Sequence, residues 1–248
     1  MSKYATLKNA PIAEAVLEIM VQLKDGFEIT NLKTIHDQIK ERYPEIKERK
    51  YVKGGLDLHD KGKPILLPTT GGTDGFILRS PTEKKVIQTR VDGFAFNKLN
   101  PYENWSTFSK ESRELWKLYL SIANPIKISR ISLRYINRIE VPLPISDFSE
   151  FILTNPEIAP GLPQGVSNFF MRFEILKEDI PANAVIIVAM EQPTASNKLP
   201  LILDIDVICN HDYTNSMDKM WDDFEKLRNL KNEFFFKSIT QKTRELFS

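Results

Sequence analysis

The sequence has little of what secreted, membrane-spanning or phosphate-binding proteins usually carry. Its only cysteine is Cys209, which excludes an internal disulfide and is compatible with a reducing compartment. The longest purely apolar run, residues 184–190, is far too short to cross a bilayer, and the first residues do not resemble a signal peptide. The 34 basic and 33 acidic residues nearly cancel, which argues against a partner bound mainly through phosphates. We therefore expect a soluble cytoplasmic protein that does not bind membranes.

Residues 128–141, just past the middle of the chain, show the clearest pattern, that of a long strand. Alternate positions are apolar, namely Ile131, Leu133, Tyr135, Ile139 and Val141. Three of the positions between them are Arg130, Arg134 and Arg138, which we call the arginine stripe. Because successive strand residues point to opposite faces, one face should rest on a core and the other should carry the stripe. Asn137 interrupts the apolar set and needs a hydrogen-bonding partner if it is buried.

The first half of the chain is predicted to contain a long strand, a helix, three strands and a long helix. Apolar periodicity places them at residues 11–23, 30–43, 76–79, 85–91, 94–99 and 101–123. We expect Asn100 to cap the long helix, Pro101 to occupy its first position and Glu103 to complete a capping box. The glycine-rich segment 70–75 is predicted to be a loop.

The second half follows the same order of elements. They fall at residues 128–141, 146–153, 166–176, 184–192, 199–210 and 215–247. Trp105 and Phe108 match Trp221 and Phe224 at an offset of 116 residues, the difference between 221 and 105. The halves are therefore predicted to be two pseudo-repeats of β-α-β-β-β-α, residues 1–125 and 126–248, in one compact domain. We expect an α+β fold, with a curved, mainly antiparallel sheet and the long helices packed on one face.

Four separated motifs stand out in the chain. They are Lys8-Asn-Ala-Pro-Ile-Ala-Glu-Ala15, Phe96-Asn-Lys-Leu-Asn-Pro-Tyr-Glu-Asn-Trp-Ser-Thr-Phe108, Arg134-Tyr-Ile-Asn-Arg138 and a final helix with Ile239 and Leu246-Phe247. Together they resemble a sporadically distributed family of uncharacterised prokaryotic proteins, over almost the whole chain. The resemblance implies no reaction, because the family has no established catalytic residues. Its patchy distribution suits horizontally moving genes, such as components of antiviral defence or other conflict systems.

Our first functional hypothesis is a non-enzymatic binding or regulatory protein that acts through a protein partner. No catalytic set and no cofactor motif converge in the sequence, so we assign no catalytic residue, cofactor or metal ligand. Such a protein should keep a contiguous apolar patch exposed, around Phe170 or Phe236. A homo-oligomer is compatible with this hypothesis.

The first alternative is a nucleic-acid or nucleotide-binding protein that uses the arginine stripe. Planar guanidinium groups suit phosphate and carboxylate ligands. A competing structural explanation is that the strand at 11–23 lies beside the stripe, so that Glu14 and Glu18 pair with its arginines.

The second alternative is a metal-dependent hydrolase. Asp204 and Asp206 lie on one strand face, where carboxylate oxygens could hold a divalent cation. No fixed ligand spacing accompanies them, and acidic residues are ordinary on a solvated strand face.

Overall fold

A computed structural model describes residues 7–53, 56–57, 65–66, 70–177, 181–193 and 197–247. The strands are β1 (Ile12–Gln22), β2 (Glu45–Lys53), β3 (Leu56–Asp57), β4 (Ile65–Leu66), β5 (Thr70–Ser80), β6 (Lys85–Arg90), β7 (Gly93–Leu99), β8 (Lys127–Pro142), β9 (Phe170–Lys177), β10 (Ala182–Met190) and β11 (Lys198–Asn210). The helices are α1 (Thr34–Ile39), α2 (Trp105–Ala123), α3 (Met217–Ser238) and α4 (Gln241–Glu245), with short 3-10 turns at Ile29–Lys33 and Phe148–Glu150.

Nine of these strands form one open antiparallel sheet in the order β2-β5-β6-β7-β1-β8-β11-β10-β9. The central pair is β1 and β8, and Leu17 lies directly opposite Leu133. Sequential strands pair through short connections. The predicted hairpin between β6 and β7 is present, but its turn is Val91 and Asp92, and Gly93 is already the first residue of β7. The predicted mixed α+β class with an antiparallel sheet is confirmed.

The core lies between this sheet and the long helices. Phe94 and Phe96 on β7 contact Trp116 and Phe108 of α2, with ring centroids 5.9 Å and 5.2 Å apart. α3 packs on β8 and β11. Buried apolar residues from both halves of the chain belong to one cluster. Among the described helices, none combines the length and apolar content that crossing a membrane requires.

The glycine-rich segment 70–75 belongs to a strand, so the predicted loop is wrong. β5 begins at Thr70 and pairs with both β2 and β6. A Cβ on Gly75 would lie 2.1 Å from the Thr89 carbonyl oxygen on β6. The glycine is therefore needed for a close backbone approach within the sheet, which composition alone does not separate from a turn.

The start of α2 also differs from the predicted cap. Asn104, not Asn100, caps the helix, and its side-chain oxygen accepts a hydrogen bond from the Thr107 backbone N–H at 2.9 Å. Asn100 instead donates its amide to the Ile12 carbonyl at 3.3 Å, which ties this segment to β1. Two asparagines four residues apart both fit a capping pattern, and contact with β1 decides between them.

The remaining helices are shorter than the patterns predicted. The segment at 30–43 holds a 3-10 turn followed by the six residues of α1, and 146–153 holds only a three-residue 3-10 turn. The C-terminal helix is interrupted at Ile239, because Thr240 starts α4 by capping the Thr243 backbone N–H. The charged residues at the start of β2 were not predicted to form a strand.

Gly75→Ala should lower the free energy of unfolding by about 1–3 kcal/mol, because the added methyl group forces β5 away from β6. Chemical denaturation measures this change. Gly165→Ala is the matched control, since no atom lies within 4 Å of a Cβ there, and its effect should stay within about 0.5 kcal/mol. Equal stabilities of the two variants would contradict the close approach.

Candidate functional site

The arginine stripe lies on the face of β8 that points away from the core, and its arginines have carboxylate partners. Arg130 Nη2 is 2.6 Å from Glu18 Oε2 on the adjacent β1. The predicted cross-strand pairing is thus confirmed for Glu18. Glu14 instead accepts a hydrogen bond from Asn97 at 2.6 Å. At the other end of the stripe, Arg138 Nε is 2.9 Å from Glu191 Oε2.

The middle of the stripe is bound to one of the two aspartates considered as metal ligands. Arg134 makes a two-pronged contact with Asp204, with Nε–Oδ1 at 2.9 Å and Nη2–Oδ2 at 2.5 Å. Asp206 lies directly opposite Arg134, and burial raises the pKa of its carboxyl group to about 6 although Arg134 opposes the shift. Within the described ranges, no group of three or more His, Cys, Asp or Glu is arranged to hold a metal ion. Ligand binding by the stripe stays a prediction.

A cavity of about 200 Å³ lies on the opposite, core-facing side of β8, and its walls come from three of the four sequence motifs and from α3. We call it the motif cavity; its walls include Pro11, Tyr102, Trp105, Tyr135, Asn137 and Lys231. These segments are far apart in sequence and meet only in the folded chain. The convergence makes this cavity the candidate functional site.

Each wall of the motif cavity is positioned by a separate structural device. Strand alternation places Tyr135 and Asn137 on the face of β8 that also carries Leu133. The Pro11 carbonyl accepts a hydrogen bond from the Arg138 backbone N–H at 2.8 Å, which holds the N-terminal segment beside β8. The Asn104 cap fixes the start of α2 and therefore Trp105.

Lys231 of α3 is buried in the wall of this cavity without an acidic partner. Its Nζ lies 3.7 Å from the centroid of the Tyr135 ring and 2.7 Å from Asn232 Oδ1. Among the described residues it makes no ion pair, and the nearby guanidinium of Arg228 adds to the positive charge. Burial, followed by the charge of Arg228, lowers the pKa of Lys231 to about 7.

Two tyrosine hydroxyls and an asparagine complete the polar part of the cavity. Tyr102 Oη and Tyr135 Oη are 2.7 Å apart, so one hydroxyl donates to the other and the second proton can reach a further acceptor. Burial raises the pKa of both tyrosines, which keeps them protonated donors. Asn137 is buried and donates to the Leu203 carbonyl at 2.9 Å, which confirms its predicted need for a partner.

Sequence reasoning missed Lys231, although the sequence holds a signal for it. Phe224, Leu227, Lys231 and Phe235 follow helical spacing, so the lysine occupies a position of the apolar stripe of α3. A charged residue at such a position predicts either a buried ion pair or a site. Arg228, which is half-buried and pairs with Glu225 at 3.6 Å, was also missed.

Comparison with known proteins gives no relative from which a function could be transferred. A scan against protein-family models and a search of curated proteins both find no match. The family resemblance therefore stays a prediction, and the function has to be argued from the geometry.

Lys231→Met should raise the free energy of unfolding, by roughly 2–4 kcal/mol below pH 7, because it removes an unpaired buried ammonium group. The folded-state pKa, about 7, lies below the ordinary value of 10.5. Between these two values the unfolded chain holds a proton that the folded chain lacks, so this group makes stability rise with pH in that window. The gain from the substitution should therefore shrink as pH increases from 7 to 10.

Denaturant titrations at several pH values measure the effect. Lys226→Met is the control, because that lysine lies on the same helix, is half exposed and pairs with Asp223 at 2.7 Å. Its removal should cost no more than about 1 kcal/mol. If Lys231→Met and the unchanged protein gave parallel pH profiles, Lys231 would not be a buried titrating group.

Proposed function

We propose that this protein is a non-enzymatic binding protein that holds a small anionic ligand in the motif cavity. One observation carries the proposal: the ammonium group of Lys231 is buried in the cavity wall and makes no ion pair among the described residues. An unpaired buried charge is costly, and proteins seldom keep one unless a partner compensates it. A ligand with a carboxylate or phosphate group would supply that partner.

The other walls fit such a ligand. The tyrosine pair offers a hydrogen-bond donor near the ammonium group, and Arg228, although paired with Glu225 at 3.6 Å, adds positive charge; both favour an anionic oxygen. Trp105 and Phe235 offer apolar surface for the remainder of the molecule. A few convergent polar groups within aromatic walls are typical of small-molecule sites, and the volume suits a small molecule and not a polymer.

The arginine stripe supports the nucleic-acid alternative less well. Its guanidinium groups already contact Glu18, Asp204 and Glu191, so a phosphate would have to displace carboxylates. In the motif cavity, by contrast, Lys231 makes no ion pair with any residue that the structure describes. A role in an antiviral or other conflict system stays a prediction from the resemblance.

Isothermal titration with benzoate and with inorganic phosphate tests the proposal and separates the two kinds of anionic group. We expect saturable binding of at least one of them, and we expect Lys231→Met to weaken it roughly 10- to 100-fold. Lys226→Met should bind as the unchanged protein does. Benzoate keeps its charge from pH 6 to 9, so a loss of its affinity above pH 7 would report deprotonation of Lys231.

Two results would contradict the proposed function. One is the absence of saturable binding of either anion at pH 6, where Lys231 is protonated. The other is binding that Lys231→Met leaves unchanged, because the ammonium group would then not be the anchor.

We also infer that residues 1–125 and 126–248 are repeats whose long helices share one face of the sheet. The sequence offset of 116 residues makes Leu17 equivalent to Leu133, and these two residues lie opposite each other in the central strand pair. Both α2 and α3 contact strands next to that pair. A twofold relation between the halves would bring equivalent residues together in this way.

A further inference from the structure

The two edges of the sheet differ in how they are protected. β2 carries six charged residues in nine, a composition that discourages pairing with another strand. β9 carries three charged residues in eight, and its side chains are largely exposed. Phe170 and Leu176 are 67% and 70% exposed, and Phe173 and Ile175 are each 39% exposed. Phe170 is thus an exposed apolar side chain, and the protein-binding patch expected around it stays a prediction.

Within the part of the chain that the structure describes, β9 is an edge strand with no strand beside its outer side. Met190 donates its backbone N–H to the Phe169 carbonyl at 3.1 Å, so the peptide groups of Phe169 face β10. Because these groups alternate along an antiparallel strand, those of residues 170, 172, 174 and 176 point away from the sheet. They are available for a further strand.

The side chains of β9 form a pattern that is complementary to itself. Around Phe173, Arg172 mirrors Glu174, Met171 mirrors Ile175, and Phe170 mirrors Leu176. If two copies of β9 met antiparallel with Phe173 at the centre, each arginine would lie opposite a glutamate and each apolar side chain opposite another apolar one. The facing pairs 172–174 and 170–176 are also the positions whose peptide groups point outward. One register therefore satisfies the charged side chains, the apolar side chains and the outward-pointing peptide groups of β9.

We propose that the protein forms a twofold-symmetric homodimer in which β9 pairs with β9 of a second copy in this register. The two sheets then become one continuous antiparallel sheet. Arg172, which lies 3.8 Å from Glu174 of its own strand, then also contacts the partner's Glu174 on the face that carries the arginine stripe, and Phe173 meets the partner's Phe173 on the core-facing side. A strand of a different protein would satisfy the backbone groups equally well, but it would match this mirrored charge pattern only by coincidence. A second copy matches it by symmetry.

A cysteine at the symmetry axis tests the register directly. The two copies of residue 173 would lie opposite each other at a non-hydrogen-bonded position, where the Cα atoms are about 4.5 Å apart and a disulfide can form. Phe173→Cys should therefore cross-link into dimers under mild oxidation. Ile175→Cys is the control, because its two copies would be four residues apart along the strand, roughly 13 Å. The native Cys209 is buried and should not contribute.

Charge reversal tests the same register without a covalent bond. Arg172→Glu alone, or Glu174→Arg alone, would place like charges opposite each other at two symmetric positions. We expect each to weaken dimerisation roughly tenfold (about 1.4 kcal/mol), as measured by sedimentation over a concentration series. The double variant Arg172→Glu, Glu174→Arg restores opposite charges and should recover most of the affinity. Lys47→Glu on β2, at the other edge, should leave the association unchanged.

Any of the following results would overturn the proposed dimer. A monomer at every concentration, with no cross-link from Phe173→Cys, excludes the dimer. A dimer that the single charge reversals do not weaken, or that cross-links equally through Ile175→Cys, must use another surface or another register. If the double variant dimerises no more tightly than the single variants, the charge pairing that defines the register does not exist. These tests do not involve the motif cavity, so their failure would leave the proposed function untouched.

Discussion

The pairing of β1 with β8 is the interaction on which the rest of the structure depends. Leu17 and Leu133 lie opposite each other and are completely buried, so the two halves share one core instead of having two. Burial of each such side chain contributes about 1.5–3 kcal/mol. On the other face of the same strands, Glu18 and Arg130 cross the junction with an ion pair. The β1–β8 pair thus gives the middle of the sheet one apolar face and one charged face.

Patterns between neighbouring residues predicted most of the sheet, and contacts between distant residues explain the failures. The alternation in β1, β8 and β11 is a local signal, so these strands were predicted nearly to their ends. The segment 70–75 was assigned to a loop because glycine suits turns, whereas Gly75 is required by the closeness of Thr89 on another strand. The cap of α2 was placed at Asn100, whose side chain is in fact used by β1.

The candidate site was harder to predict than the fold because the role of a charged residue depends on which residues surround it in the folded chain. The arginines of the stripe looked available in the sequence, but they have carboxylate partners on β1, β8 and β11 and in the segment just after β10. Lys231 looked ordinary in a charged helix, yet folding places it against Tyr135, where it makes no ion pair with a described residue. Whether a charged side chain has an ion-pair partner depends on the tertiary structure, and a single sequence does not show it.

The walls of the motif cavity have a consequence for how the protein is made. Pro11 is synthesised long before Lys231, and the backbone N–H of Asn9 donates to the Phe247 carbonyl at 3.1 Å. While the ribosome is still adding the chain before α3, the pocket lacks one side and its cation. A nascent chain that has not yet reached α3 therefore cannot form the complete motif cavity.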